Sequence, residues 1–280
     1  MNIDIEALRH WKGRSEQRHA RLDLAPAQSL TATLDRDEVL QEGDALPPVW
    51  HWLYFLPAAP QSQLGADGHP LKGGFLPPVP LPRRMWAGGR LQFLAPLCLG
   101  ERASKVSEVL DVTHKQGRSG DLVFVTVQHR VFNAAGELAI DEQQDLVYRE
   151  AQQAAVAGPA AESERVPASW QRVIQPDPVL LFRYSALSFN SHRIHYDLPY
   201  ATEGEGYAGL VVHGPLIATL LLDHLRRQSA QPLRSFEFKA SRPAIAGEPM
   251  RLCGDPGSGL ALWAENARGE VCMQAGAEFA

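Results

Sequence analysis

The sequence predicts an α+β chain built from two similar halves, each an antiparallel sheet wrapped around one helix. Three observations carry this. Long stretches between residues 91 and 148 alternate apolar and polar residues, as half-buried strands do. One amphipathic helix follows Pro215, and further strands follow it. A faint repeat relates the two: Phe93-Leu94-Ala95-Pro96 runs on to Gly100-Glu101, and Phe238-Lys239-Ala240 runs on to Pro243 and Gly247-Glu248. Gly136-Glu137 and Gly269-Glu270 then recur as turns.

With 280 residues the chain can bury one large core or two smaller ones. The organisation expected is a domain over 1–150, a linker over 151–168, where small and polar residues surround two prolines, and a domain over 169–280. Hydrophobic residues make up 45% and charged residues 21%, an ordinary globular balance. A net charge of -5 gives no sign of a nucleic-acid-binding protein. The start carries acidic residues rather than a secretory leader, and no apolar stretch approaches a membrane span. Cys98, Cys253 and Cys272 form no close pair and read as buried thiols. A cytoplasmic protein without membrane partners is expected.

In chain order, residues 1–48 read as helix and loop, ending at Pro47-Pro48. The run Val49–Leu56 is apolar apart from His51, and periodicity leaves strand and buried helix open. Its aromatics suit a core or a substrate groove. Pro57–Gly89 is too rich in proline and glycine for regular helix. Strands are expected at 91–94, 103–112, 122–132 and 137–148, with Asn133–Gly136 as a hairpin turn. Pro178–Phe189 reads as a strand ending in a loop. The helix after His213-Gly214-Pro215 presents Leu216, Ile217, Leu220, Leu221 and Leu225 on one side. Strands follow at 233–240, 249–253, 259–266 and 270–277.

Residues 190–197, Asn-Ser-His-Arg-Ile-His-Tyr-Asp, concentrate ionisable groups behind an apolar segment. The spacing is not that of a helical metal-binding pair, so no metal is expected. This segment, with Val211-Val212-His213-Gly214-Pro215-Leu216, resembles the double hot-dog hydratase and dehydratase family. That family includes the (R)-specific enoyl-thioester hydratases, MaoC-like dehydratases, mitochondrial 3-hydroxyacyl-thioester dehydratases, and the hydratases of mesaconyl-CoA and itaconyl-CoA. The family's loop G-D-x-N-P-[LI]-H places its Asp on Asn190, its Asn on His192, its Pro on Arg193 and its His on His195. Its H-G-M-L falls on His213 to Leu216. Residues 64–78 and 83–89 resemble the two-domain branch.

The resemblance implies a double hot-dog fold, a hydro-lyase acting on an acyl-CoA, no cofactor, and a homodimer. It implies catalytic roles for His195, Asn190 and Gly214. Near its ordinary pKa, an imidazole can both take and return a proton, which suits His195. An amide cannot titrate, so Asn190 is left to orient water or substrate. The Gly214 N–H, at a helix start, can bind the thioester oxygen as it gains charge, whereas Pro215 has no N–H to offer. Substrate contacts are expected from Arg193, His192, Asp197, His213 and Arg84, with Asp197 equally able to be an ordinary loop carboxylate. Arg193 could pair with a second carboxylate of the substrate or brace the loop. Arg83, Arg84, Arg90, Lys239 and Arg242 are phosphate candidates. Pro77–Pro82 could wall the acyl pocket. The acyl group favoured is a branched C4-dicarboxyl one. The alternatives are a straight-chain 3-hydroxyacyl dehydratase, a thioesterase and a non-catalytic acyl-binding protein.

Overall fold

The computed structural model describes residues 3–117, 120–150, 167–257 and 259–280. The segment read as a linker, 151–168, lies outside them apart from its last two residues. The elements run α1 (Ile5–Arg9), β1 (Ser15–Arg21), α2 (Leu24–Thr33), β2 (Arg83–Phe93), β3 (Arg102–Gly117), β4 (Gly120–Phe132) and β5 (Leu138–Arg149). Then come β6 (Trp170–Ile174), α3 (Pro178–Ser188), α4 (Gly214–Arg226), β7 (Leu233–Ala240), β8 (Met250–Asp255), β9 (Leu260–Glu265) and β10 (Val271–Phe279).

All ten strands join one antiparallel sheet in the order β1-β3-β4-β5-β2-β7-β10-β9-β8-β6. Read outward from the centre, the two halves have the same order, β2-β5-β4-β3-β1 and β7-β10-β9-β8-β6. This is the double hot-dog arrangement, with the two half-sheets continuous through β2 and β7, where Gly88 pairs with Lys239 and Gln92 with Ser235. The seam selects glycine. A Cβ on Gly88 would stand 2.6 Å from the Phe238 carbonyl oxygen, and one on Gly89 2.8 Å from the Phe238 ring.

The repeat reaches single hydrogen bonds. Asn133 Oδ1 accepts from the backbone N–H of Ala135 and Glu137 at 3.1 and 3.0 Å. Asn266 does the same for Arg268 and Glu270, both at 3.0 Å. The β4–β5 and β9–β10 hairpins are thus closed by one design.

The helices differ between halves. In the second, Leu216 through Leu225 of α4 are all buried as it packs on β8, β9 and β10. Between α2 and β2 in the first half stand, among the described residues, two 3-10 turns, Trp50–Leu53 and Gln61–Gln63, and the long Pro- and Gly-rich loop. Val49, Trp50 and Leu53 enter the core, while His51, Trp52, Tyr54 and Phe55 face a groove. The aromatic run therefore serves both ends expected of it. Pro77–Pro82 does not line that groove; Val79 and Leu81 are buried under the first half's strands instead.

Four local expectations are corrected. Pro178–Ser188 is a helix, not a strand: Asp177 caps it by accepting from the Leu180 N–H at 2.8 Å, Pro178 fills the first turn, and Phe189 ends it in a left-handed conformation (φ 49°). β1 lies inside the region read as helix and loop, and β6 was not anticipated; both are edge strands. β2 begins at Arg83, inside the stretch read as loop.

Candidate active site

The site lies where the loop after α3, the N-terminus of α4, β2 and the long first-half loop converge on a groove of about 1660 Å³. Of the site residues singled out by sequence, Asn190, His192, His195, Gly214, Arg83, Arg84 and Arg242 line it.

His195 is buried, and its Nδ1 lies 2.7 Å from the Val211 carbonyl oxygen. A carbonyl only accepts, so Nδ1 carries the proton and Nε2 keeps its lone pair. The ring stacks on His213 at 3.6 Å between centroids and 21° between planes. Burial drives the His195 pKa down to about 3, against the opposing pull of the Val211 bond. The ring is therefore neutral at neutral pH with the Nε2 lone pair unprotonated, and it is a weaker base than a free imidazole.

His213 is wholly buried and lines no groove. Its Nε2 meets the Ser185 hydroxyl at 2.8 Å, and burial holds its pKa well below 6.5. It is the back wall against which the His195 ring stacks. Arg193 and Asp197 take the second of the roles open to each, a loop brace and its loop carboxylate. Arg193 donates to Asp197 Oδ2 through Nε and Nη2 at 2.9 and 2.7 Å, donates to the Ala66 carbonyl at 3.0 Å, and lies over the Tyr200 ring. Neither faces the groove. The pair spans one helical turn's spacing and ties the site loop to the first-half loop.

That tie is tight. The Arg193 N–H donates to the Asp67 carbonyl at 2.9 Å, and Ser191 Oγ donates to the Gly68 carbonyl. Gly68 has φ 87°, and a Cβ there would meet the Ser191 carbonyl oxygen at 1.9 Å, so both conformation and space demand glycine.

Asn190 turns back on its own loop. Its Oδ1 accepts from the His192 N–H at 3.0 Å, which leaves only the amide nitrogen as a donor toward the groove. We expect Asn190→Ala to lower kcat/KM about tenfold, since an acceptor worth about 1 kcal/mol is lost from the loop that places His192 and His195. Asn190→Asp, which keeps the acceptor, should retain most of the rate. Steady-state kinetics of the two variants side by side checks this.

Gly214 opens α4, and among the described residues its N–H has no protein acceptor. The nearest atom to a Cβ there is the Trp86 carbonyl oxygen at 3.9 Å. The protein itself leaves room for a side chain, although a residue before proline resists helical geometry unless it is glycine. The free donor belongs to a groove-lining residue at a helix start, where negative charge is favoured.

Two residues escaped the sequence reasoning. Glu205 is buried beside the groove. Its Oε1 accepts from the Tyr200 hydroxyl at 3.1 Å and lies 3.6 Å from His192 Nε2, and Arg83 binds both its side chain and its carbonyl. Burial pushes its pKa up, but His192, Tyr200 and Arg83 outweigh that and leave it lowered. The His69 ring lies against His192 at 4.3 Å between centroids, tilted by 38°, and His192 stands 5.5 Å from His195. Burial first, then Arg84, keeps His69 well below its ordinary pKa. Only the placing of Glu205 between two glycines hinted at it.

Asp67, His69 and His192 bring possible metal donors within 4.8 Å of one another. Arg84 and Lys72 add positive charge beside them, which favours an anion at this place rather than a cation. Of the phosphate candidates, Arg90 pairs with Asp145 at 2.7 Å on the exposed face and Arg83 is committed to Glu205. Lys239 is exposed and does not line the groove. Arg242 stands exposed at the groove rim, 3.7 Å from Glu270.

The sequence profile described as hydroxyacyl-thioester dehydratase type 2 matches residues 49–246. The chain is 46% identical over 271 residues to the mesaconyl-C(4)-CoA hydratase of Chloroflexus aurantiacus, covering 96% of each. It is 32% identical over 235 residues to the mitochondrial hydroxyacyl-thioester dehydratase type 2 of Schizosaccharomyces pombe, covering 75% of this chain and 77% of that one. Among solved structures, a MaoC-like dehydratase superposes with TM-score 0.71 at 14% identity, covering 99% of this chain and 100% of that one. A Mycobacterium tuberculosis protein described as a double hotdog fold superposes with TM-score 0.60 at 13% identity, covering 95% of each chain. These two likenesses bear on the fold.

Proposed function

The chain belongs to the hydroxyacyl-thioester dehydratase type 2 family, a family of hydro-lyases, and from that premise we propose that it hydrates a C4-dicarboxyl enoyl-CoA of the mesaconyl-C4 type, reversibly. The observation that carries the reaction is the neutral, Nδ1-protonated His195 in the groove wall beside the free N–H of Gly214. The relative from Chloroflexus aurantiacus supports the acyl group.

In the hydration direction, water lies between His195 Nε2 and the β carbon of the enoyl thioester. His195 takes a proton from the water as its oxygen bonds to the β carbon. The electron pair of the double bond moves toward the thioester oxygen, where the Gly214 N–H and the α4 N-terminus stabilise the charge. The imidazolium then returns its proton to the α carbon, so no net charge or atom is lost. Dehydration runs the same steps backwards. Asn190 can hold the water or hydroxyl through its amide nitrogen but takes no proton. The adenosine phosphates of the carrier suit Arg242 at the exposed rim.

Purified protein should remove the conjugated absorbance of mesaconyl-CoA and yield a product heavier by one water. Itaconyl-CoA and crotonyl-CoA serve as comparisons, with mass spectrometry on each product. Faster turnover of crotonyl-CoA than of mesaconyl-CoA would move the assignment to straight-chain substrates. Release of free coenzyme A without a hydroxyacyl product would mean a thioesterase. The resemblance also carries a homodimer, which a solution mass near twice 30.8 kDa would register.

A further inference from the structure

If Arg193 is spent on Asp197, a dicarboxyl substrate needs another cation for its free carboxylate. The groove offers one. Arg84, on β2, is half-buried and lines the groove wall. Among the described residues no carboxylate comes within 4.0 Å of its guanidinium. Its neighbour Arg83 is held by Glu205, and Asp67 Oδ1 accepts the backbone N–H of His69 at 3.0 Å. Beside Arg84 stand the Tyr148 phenol and the uncharged His69 ring, with Lys72 a second cation nearby and the Asp67 carboxylate beyond ion-pair distance. His69 in turn lies against His192, and His192 adjoins His195.

A partly buried guanidinium without a counter-ion costs free energy that a bound anion returns. Its planar fork of N–H groups matches a carboxylate. We propose that Arg84, with the ring N–H groups of His69 and His192, forms the subsite for the free carboxylate of the acyl group; this rests on the dicarboxyl assignment made above.

Position favours it over a carrier phosphate. In a mesaconyl-C4 thioester the carboxylate is bonded to the β carbon that takes water, so it must lie beside His195. The chain of rings from His195 through His192 and His69 leads to Arg84. The pantetheine arm, by contrast, carries the phosphates far from the reacting carbons, toward the rim. A straight-chain acyl group would put a methyl or methylene against Arg84 and leave the charge uncompensated.

The test uses succinyl-CoA and butyryl-CoA, saturated thioesters of equal chain length that cannot take up water, titrated calorimetrically into the full chain. The wild type should bind succinyl-CoA more tightly. In Arg84→Met the succinyl-to-butyryl preference should fall by about 100-fold, the scale of losing one partner of a desolvated ion pair. Arg84→Lys keeps the charge without the fork and should recover part of the preference; it also serves if the methionine variant fails to fold. Equal weakening of both ligands, or a wild type with no preference, would overturn the subsite and assign Arg84 to the carrier or to packing. Turnover is measured separately. A wild type that does not hydrate mesaconyl-CoA but shows an Arg84-dependent preference sinks the substrate assignment and leaves the carboxylate subsite standing.

Discussion

Replacing His195 by glutamine should lower kcat/KM for hydration by about 10²–10⁴-fold while leaving the fold intact. Glutamine can still donate to the Val211 carbonyl, but it cannot take a proton. The wild-type pH dependence follows from the same ring. Its conjugate acid forms only near pH 3, so kcat/KM per folded molecule should be the same at pH 5.5 as at pH 7.5. An unperturbed imidazole would instead lose most of its base form across that interval.

Stability should behave differently. His195 is neutral when folded and has a pKa of about 6.5 when unfolded, so below pH 6.5 the unfolded chain binds more protons. Its contribution is complete above pH 6.5 and is lost as pH falls toward 3. His213 and His69, both lowered mainly by burial, act in the same direction. Denaturant midpoints should therefore fall from pH 7 to pH 5 while activity per folded molecule stays level. His195→Gln should flatten part of that fall. A rate that declines through pH 6.5 in step with stability would contradict the lowered pKa of His195.

How much of this was legible in the sequence depended on how local its cause was. β4 was read almost to its ends because Val123, Val125 and Val127 alternate on a pleat buried on one side. α4 was read because Pro215 and the leucines announce a start and a buried face. β1, Ser-Glu-Gln-Arg-His-Ala-Arg, was missed because a sheet-edge strand with no fully buried residue has no apolar alternation to show. α3 was missed because its apolar run outweighed the Asp177-Pro178 cap. In the site, His195 and Gly214 stood out by residue type and motif. Glu205 and His69 did not, since their meaning lies in tertiary neighbours: His69 lies 123 positions before His192 in the chain. The Val211 carbonyl that sets the His195 tautomer has no sequence signature at all. For Arg193 the sequence leaves a substrate contact and a loop brace equally open, because the carboxylate partner four residues on shows its hold only in three dimensions.

Asp223→Ala should be the most destabilising of these substitutions. Asp223 sits in the last turns of α4 with its side chain 1% exposed, and three arginines converge on it. Arg36 reaches Oδ1 at 2.8 Å from just beyond α2, Arg172 reaches Oδ2 at 2.8 Å from β6, and Arg227 reaches Oδ2 at 2.9 Å from the end of α4. Alanine would leave three guanidinium groups facing one another. Removing one partner from a buried ion pair costs about 3–5 kcal/mol, and the lower end fits because the arginines keep 15%, 28% and 31% exposure. Urea unfolding should show that loss as a lower midpoint with an unchanged slope. The consequence for catalysis is geometric. The carboxylate clamps the far end of α4 to both halves of the molecule, and the near end presents Gly214. With the clamp removed, the donor N–H should lose registry with His195, so kcat should fall even at temperatures where Asp223→Ala is fully folded. Asp223→Asn, which keeps an acceptor but no charge, should lie between. If Asp223→Ala lowered stability by this amount and left kcat untouched, the two ends of α4 would be mechanically independent, and Gly214 would owe its place to the His213–Pro215 turn alone.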